Sequence, residues 1–281
     1  MPTMPPPLTR LHDREALADR FRHDPELHLF ELGDLDDPFW PHTTWYTLAD
    51  GSDDGSDEGT GEGPGDGPVA LLYGVGELPT LLGLTRPERH GHLTELLRAM
   101  GPVLPDRFLA HLTGGGAEAL APGYRVEHRT AMLRMALTDR TALGTGAGSW
   151  QVGPLGAPDL ADLLALFAAG YPGNWFDERM LTTGPYVGVR DADGRLVAAA
   201  GVHVHSPAHR VAVIGNVTTH PEFRGRGLAA ACTTRLCEVL SPTTDHIGLN
   251  VRADHPTAVS LYGRLGFTTV TAIDECVIAA V

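Results

Sequence analysis

From Val213 to Ala229 the chain reads V-I-G-N-V-T-T-H-P-E-F-R-G-R-G-L-A, a strand-like run that meets a proline, passes through an Arg/Gly turn and leaves it as a helix. Val213 to Thr219 alternates apolar with small or polar residues and is rich in β-branched types, which predicts a strand, and Pro221 stops it. Gly225 and Gly227 have no Cβ, so backbone amides in this turn can approach an anion closely, and Arg224 and Arg226 set two guanidinium groups beside them. The following L-A-A-A-C-T-T-R-L-C-E-V-L carries an apolar stripe through Leu228, Ala231, Cys232, Leu236 and Val239, which predicts a helix. The glycine turn then stands at a helix N-terminus, where unbonded N–H groups and the macrodipole favour phosphate. Such a segment is built to hold a pyrophosphate.

A second block follows. Ile247 to Val251 (I-G-L-N-V) predicts another buried strand, and His255 to Phe267 (H-P-T-A-V-S-L-Y-G-R-L-G-F) a short helix ended by Gly266. The two blocks resemble the GNAT acyltransferase superfamily: R-x-x-G-x-A at Arg224, Gly227 and Ala229, then A-x-x-x-Y…L-G-F at Ala258, Tyr262, Leu265, Gly266 and Phe267. The resemblance covers roughly Trp150 to Val281. It implies an α/β (α+β) GNAT fold, a mixed central β-sheet flanked by helices.

The same resemblance implies acetyl-coenzyme A, or another acyl-coenzyme A, as cosubstrate, with no metal. Backbone amides of Arg224, Gly225, Arg226, Gly227, Leu228 and Ala229 would bind the pyrophosphate, with Arg226 as the side-chain phosphate partner. Exposed amides and carbonyls around Val217, Thr218 and Thr219 would pair with the pantetheine arm as with an added strand, and one such amide could polarise the thioester carbonyl. Tyr262 is the implied general acid, since a phenol of ordinary pKa about 10 can protonate a thiolate of ordinary pKa about 8.5. Ala258 belongs to the same coenzyme-side motif. The superfamily usually has Asn seven residues before the Tyr, where this chain has His255; an imidazole can still donate a hydrogen bond toward the coenzyme.

Many family members use a Glu on the strand before the turn, yet Ala212 to Thr219 contains no carboxylate. An alkylammonium of pKa about 10.4 must lose a proton before it attacks. His203 and His205, at i and i+2 in L-V-A-A-A-G-V-H-V-H, are the candidate base, with His220 or a water chain as alternatives. An acceptor is expected near Trp175, Phe176 and Tyr186, with Asp177 and Glu178 available to a cationic one. His203, His205 and His209 have no carboxylate or Cys at ligand spacing, so no metal site is expected from them.

A length of 281 residues accommodates two domains. The net charge of −14 argues against nucleic acid or an anionic membrane as the main partner. Asp50, Asp53, Asp54, Asp57, Glu58, Glu62 and Asp66 supply part of it from one segment, Asp50 to Pro68, which has nothing apolar to anchor it and predicts a disordered loop at a hairpin tip. All 21 basic residues are Arg. Cys232, Cys237 and Cys276 are odd in number and lack metal spacing, which points to a reduced, cytoplasmic protein. The sequence contains no signal-peptide pattern and no run long enough to span a membrane.

In the N-terminal half, Leu11 to Arg22 and His92 to Met100 predict helices, and Trp45 to Leu48, Val69 to Tyr73, Phe108 to Leu112 and Tyr124 to Leu137 predict strands. This order resembles a second, degenerate GNAT unit over residues 1–138, with 139–149 as linker and 150–281 as the catalytic domain. Where its phosphate loop would sit, Leu84 to His90 reads L-T-R-P-E-R-H, with no glycine to bare the backbone, so no coenzyme is expected there. The expected activity is acyl-coenzyme A dependent N-acyl transfer, acetyl to a small-molecule primary amine, by direct attack in a ternary complex. An acyl-carrier-protein donor and a non-catalytic coenzyme A-binding sensor or scaffold are the alternatives, and the oligomeric state, monomer or homodimer, stays open.

Overall fold

The computed structural model describes residues 7–49, 67–76, 78–144 and 150–281; residues 50–66 of the acidic segment and 145–149 of the linker lie outside them. The chain forms two compact units, one running to Met132 and including Thr271–Val281, the other Leu133–Val270.

The first unit contains β1 (Leu8–Leu11), α1 (Arg14–Phe21), α2 (Leu29–Gly33), β2 (Thr43–Leu48), β3 (Ala70–Tyr73), β4 (Thr80–Gly83), α3 (His90–Met100), β5 (Arg107–Leu112) and the first part of β6 (Tyr124–Leu137). Leu8–Leu11 pairs with β2 from Leu8↔Leu48 to Leu11↔Trp45, so the helix predicted from Leu11 begins only at Arg14. Asp13 fixes that start, its carboxylate accepting from the amides of Glu15 and Ala16 at 3.0 Å each. β4 runs parallel to β5 and α3 buries Leu93, Leu96, Leu97 and Met100, the strand–helix–strand order of the expected second unit. At its end this pair stays closed: Thr113 N donates to Gly83 O at 3.2 Å, and Thr85 N donates to Thr113 Oγ1 at 3.0 Å. The other edge of β5 pairs antiparallel with Asp274–Ala279.

The second unit contains the rest of β6, then β7 (Gly153–Leu155), α4 (Leu160–Gly170), α5 (Met180–Thr183), β8 (Tyr186–Arg190), β9 (Leu196–Ser206), β10 (Val211–Thr219), α6 (Leu228–Leu240), β11 (His246–Arg252), α7 (Pro256–Arg264) and the start of β12 (Phe267–Ala280). Its sheet order is β6-β11-β10-β9-β8-β7, with β10 and β11 parallel and β10-β9-β8-β7 antiparallel. Helix α6 buries Leu228, Cys232, Leu236 and Leu240 in a core with Val197, Ala212, Ile214, Ile247 and Leu249. Leu240, four residues after Leu236, completes the stripe, whereas Val239, which the sequence pattern includes in it, is exposed near the end of the helix. Removing a buried leucine here, Leu236→Ala, costs about 2–5 kcal/mol. On α4, Leu163, Leu166 and Phe167 pack on Leu196 and Ala199. Gly266 takes φ 89°, a Cβ there would come within 2.0 Å of Asp139 O, and its carbonyl accepts from Thr138 N at 3.0 Å, so this glycine lets the end of α7 close against the end of β6.

Candidate functional site

β10 and β11 pair from Val211↔His246 to Ile214↔Leu249 and no further, although β10 continues to Thr219 and β11 to Arg252. The register of β10 against β9 shifts between Gly215 and Thr218, at Asn216, whose φ is +54°. That left-handed conformation is one Asn tolerates, and a residue inserted there makes a β-bulge. Asn216 is 4% exposed; its Nδ2 donates to Tyr186 Oη at 3.0 Å and its Oδ1 accepts from Asn174 Nδ2 at 3.3 Å. Beyond the bulge, the edge of Val217–Thr219 that faces β11 has no strand partner among the described residues, which is the geometry an extended chain needs to add itself.

The strand runs into the glycine turn. Gly225 and Gly227 take φ 76° and 80°, conformations that favour glycine, and a Cβ at Gly225 would meet nothing within 4 Å. The first bond of the helix is Ala231 N to Gly227 O at 3.0 Å; the amides of Gly225 to Ala230 make no backbone hydrogen bond among the described residues. These donors converge at the N-terminus of a 13-residue helix. Arg224 ties the turn down, donating to Gly170 O at 2.8 Å and Thr219 O at 3.4 Å. Arg226 stands 4.9 Å over the Phe223 ring and donates to Glu222 O at 3.1 Å.

Tyr262, 8% exposed on α7, packs on Phe267 with ring centroids 5.9 Å apart. Burial first, then Tyr171 and Cys237 nearby, push its pKa well above the ordinary phenol value. His255 caps α7, its Nδ1 accepting from Ala258 N at 3.2 Å, so in the neutral ring the N–H lies on Nε2 of this exposed side chain. Ala258 packs against the core.

The two candidate base histidines have different neighbours. His203 lies over Gly215, where a Cβ would come within 1.7 Å of its Cδ2, and its ring is 5.5 Å from that of Trp175. His205 Nε2 is 3.3 Å from Thr243 Oγ1. Between them the register of β9 against β10 shifts, Val213 facing Val204 and Ile214 facing Val202. His220 is buried with one ring nitrogen against the Arg195 guanidinium, and its Nδ1 accepts from Glu222 N at 3.4 Å.

Of the expected acceptor residues, Trp175 is 61% exposed, and Phe176 packs on Phe167 at 5.0 Å. Tyr186 is 1% exposed and cannot offer its ring to an acceptor: Gly201, which has no Cβ to collide with it, lets the ring lie flat on β9. Burial pushes its pKa up to about 12. Asp177 is not a free counter-charge either, because Arg179 donates to its two oxygens at 2.8 and 2.7 Å and holds its carboxyl down to about 2. Glu178 lines, with Leu160, Leu164, Phe176, Asp177 and Arg179, a depression of about 330 Å³. The sequence pattern assigns Asn216 no role; its one signal is an Asn directly after a Gly inside a strand pattern. Among the described residues no group of His, Cys, Asp or Glu side chains could hold a metal ion, and no helix is long and apolar enough to cross a membrane.

Residues 160–267 match the family described as Acetyltransferase (GNAT) family, a span that takes in the parted strands, the glycine turn and Tyr262. A mycothiol acetyltransferase of Tsukamurella paurometabola is 28% identical over 205 residues, which are 71% of this chain and 59% of that protein, so the chain spans less than two thirds of this relative's length. A solved Drosophila protein shares the fold over 98% of this chain and 99% of its own, with a TM-score of 0.66 and 14% identity. A tandem GNAT protein from the clavulanic acid biosynthesis pathway does so over 97% and 98%, with a TM-score of 0.54 and 15% identity. The fold, a mixed sheet flanked by helices, is thus the GNAT fold, and residues 160–267 are similar to the GNAT acetyltransferase family.

Proposed function

We propose that the protein transfers an acetyl group from acetyl-coenzyme A to a small-molecule primary amine by direct attack in a ternary complex. The observation that carries this reading is the parting of β10 from β11 after Ile214 and Leu249, just ahead of a turn whose unbonded amides meet at the N-terminus of α6. The residues present fit the coenzyme: positive φ at Gly225 and Gly227, open space at Gly225, and a strand edge to which an amide-bearing arm can pair. When bound, the coenzyme supplies an acyl thioester.

The amides of Gly225 to Ala230, with Arg226, hold the pyrophosphate, and the backbone of Val217 to Thr219 holds the pantetheine arm. An amide on this edge, fixed by the bulge at Asn216, donates to the thioester carbonyl oxygen as charge builds on it. Tyr262 keeps its proton at neutral pH and donates it toward the departing sulfur. His203, against Gly215, accepts the proton of the acceptor's ammonium group. Trp175 and Glu178 border the acceptor. Holding both reactants together can lower the barrier by about 7–11 kcal/mol, so no covalent enzyme intermediate is needed.

The test is release of free thiol from acetyl-coenzyme A with a panel of aliphatic diamines, arylalkylamines and peptide N-termini, with mass spectrometry of the amine. Amine-dependent thiol release with an acetylated product supports the reading. Binding without turnover points to a sensor or scaffold, and turnover only with an acetylated carrier protein points to that donor instead.

A further inference from the structure

We propose that Trp150 is a positioning residue for the pyrophosphate turn, acting through the peptide that joins Arg226 to Gly227; this rests on the reading of that turn as the coenzyme site. Trp150 lies just ahead of β7, and its indole Nε1–H donates to Arg226 O at 2.9 Å. In a trans peptide the carbonyl and the next N–H point in opposite directions, and the peptide between Arg226 and Gly227 is trans. Holding Arg226 O on the indole side therefore aims the Gly227 N–H to the opposite side. That N–H is one of the amides with no backbone partner among the described residues. That peptide turns about ψ of Arg226 and φ of Gly227, and glycine places the least steric restraint on the second of these. The indole supplies the restraint that Gly227 lacks.

The residues ahead of β7 are themselves tied to α6. Arg140 Nη1 donates to Ser241 Oγ at 2.8 Å, just past the helix C-terminus, and Gly144 N donates to Thr234 Oγ1 at 3.3 Å in its middle. Trp150 makes the third tie, at the turn before the N-terminus. Its side chain is 38% exposed, so shortening it opens no sealed core. Its effect on the coenzyme is through the turn rather than through packing.

Trp150→Phe keeps an aromatic ring and removes the N–H, whereas Trp150→Ala removes both. Calorimetric titration of the wild type and both variants with acetyl-coenzyme A and with S-acetylpantetheine, which lacks the pyrophosphate, separates the possibilities. The expected result for Trp150→Phe is a rise in the acetyl-coenzyme A Kd of about fivefold, the scale of one neutral hydrogen bond. S-acetylpantetheine affinity, thermal midpoint and kcat at saturating acetyl-coenzyme A should stay at wild-type values. Wild-type acetyl-coenzyme A affinity in Trp150→Phe overturns the proposal, and weakening confined to Trp150→Ala does so in favour of ring stacking. Equal weakening toward both ligands overturns it in favour of a general folding role. Failure of the wild type to bind acetyl-coenzyme A is seen before any variant is made and overturns the parent reading.

Discussion

The side-chain amide of Asn216 donates to the phenol oxygen of Tyr186 at 3.0 Å, and both residues are buried. The bond joins the bulge that parts β10 from β11 to the first residue of β8, and through Asn174 the same side chain reaches the loop that carries Trp175. Tyr186→Phe leaves a buried amide N–H with only Met180 Sδ at 3.7 Å, and should cost about 1–3 kcal/mol in urea unfolding. Asn216→Ala should cost more, because it also takes away the short polar side chain that lets Asn, unlike alanine, hold φ +54° readily. Equal stability of wild type and Asn216→Ala would show that the bulge does not depend on this side chain.

Tyr262→Phe should lower kcat by about 10²–10⁴, the usual contribution of a positioned proton donor, while the acetyl-coenzyme A Kd stays within twofold. The buried ring is retained, so the thermal midpoint should hold. Steady-state kinetics alongside calorimetry check this, and unchanged kcat would remove Tyr262 from the chemistry.

Gly215 and His203 predict a matched pair of variants. A Cβ at residue 215 would come within 1.8 Å of His203 Nε2, so Gly215→Ala must push the imidazole aside. If His203 takes the acceptor's proton, Gly215→Ala and His203→Gln should depress the same limb of the pH–rate profile, and combining them should add little. His205→Gln should leave that limb intact.

Alkali should weaken the second unit. Burial raises Cys232 and Cys237 to about 12, and Tyr186 to about 12, above the ordinary values of about 8.5 for a thiol and 10 for a phenol. A folded-state pKa above the unfolded value means that the folded state holds protons the unfolded state releases. Their contribution is therefore complete below about pH 8.5 and is lost as pH rises toward 12. Urea midpoints should fall steadily from pH 8 upward, with a shallower fall in Cys232→Ala; a flat profile to pH 11 would contradict the burial of these groups.

The parts legible in sequence are those in which the backbone itself does the work. Gly225 and Gly227 take φ 76° and 80°, which glycine adopts without penalty, and Gly266 leaves room for Asp139 O, so their spacing carries the geometry directly. Asn216 was hidden because a bulge is defined by the strands on either side, and nothing in G-N-V-T names β9 or β11. In sequence Tyr186 reads as acceptor surface, because its burial depends on Gly201, which lies on a different strand. Leu8–Leu11 carries no strand signal of its own for the same reason, since four residues become a strand only when β2 pairs with them. The side-chain partners of His203 and Asp177 likewise depend on packing and rotamer, which residue type does not encode.

The central claim, that the turn at Arg224 to Ala229 holds the coenzyme, is tested most directly by calorimetric titration of acetyl-coenzyme A into the wild type and Gly227→Asp. Residue 227 has φ 80°, which Asp tolerates better than most residues, so the change chiefly puts a side chain and a negative charge where the amides converge. Micromolar binding by the wild type and a loss of at least about 100-fold in Gly227→Asp, some 2.7 kcal/mol, is the predicted result. Equal affinity in the two proteins, or no binding by the wild type, would contradict it.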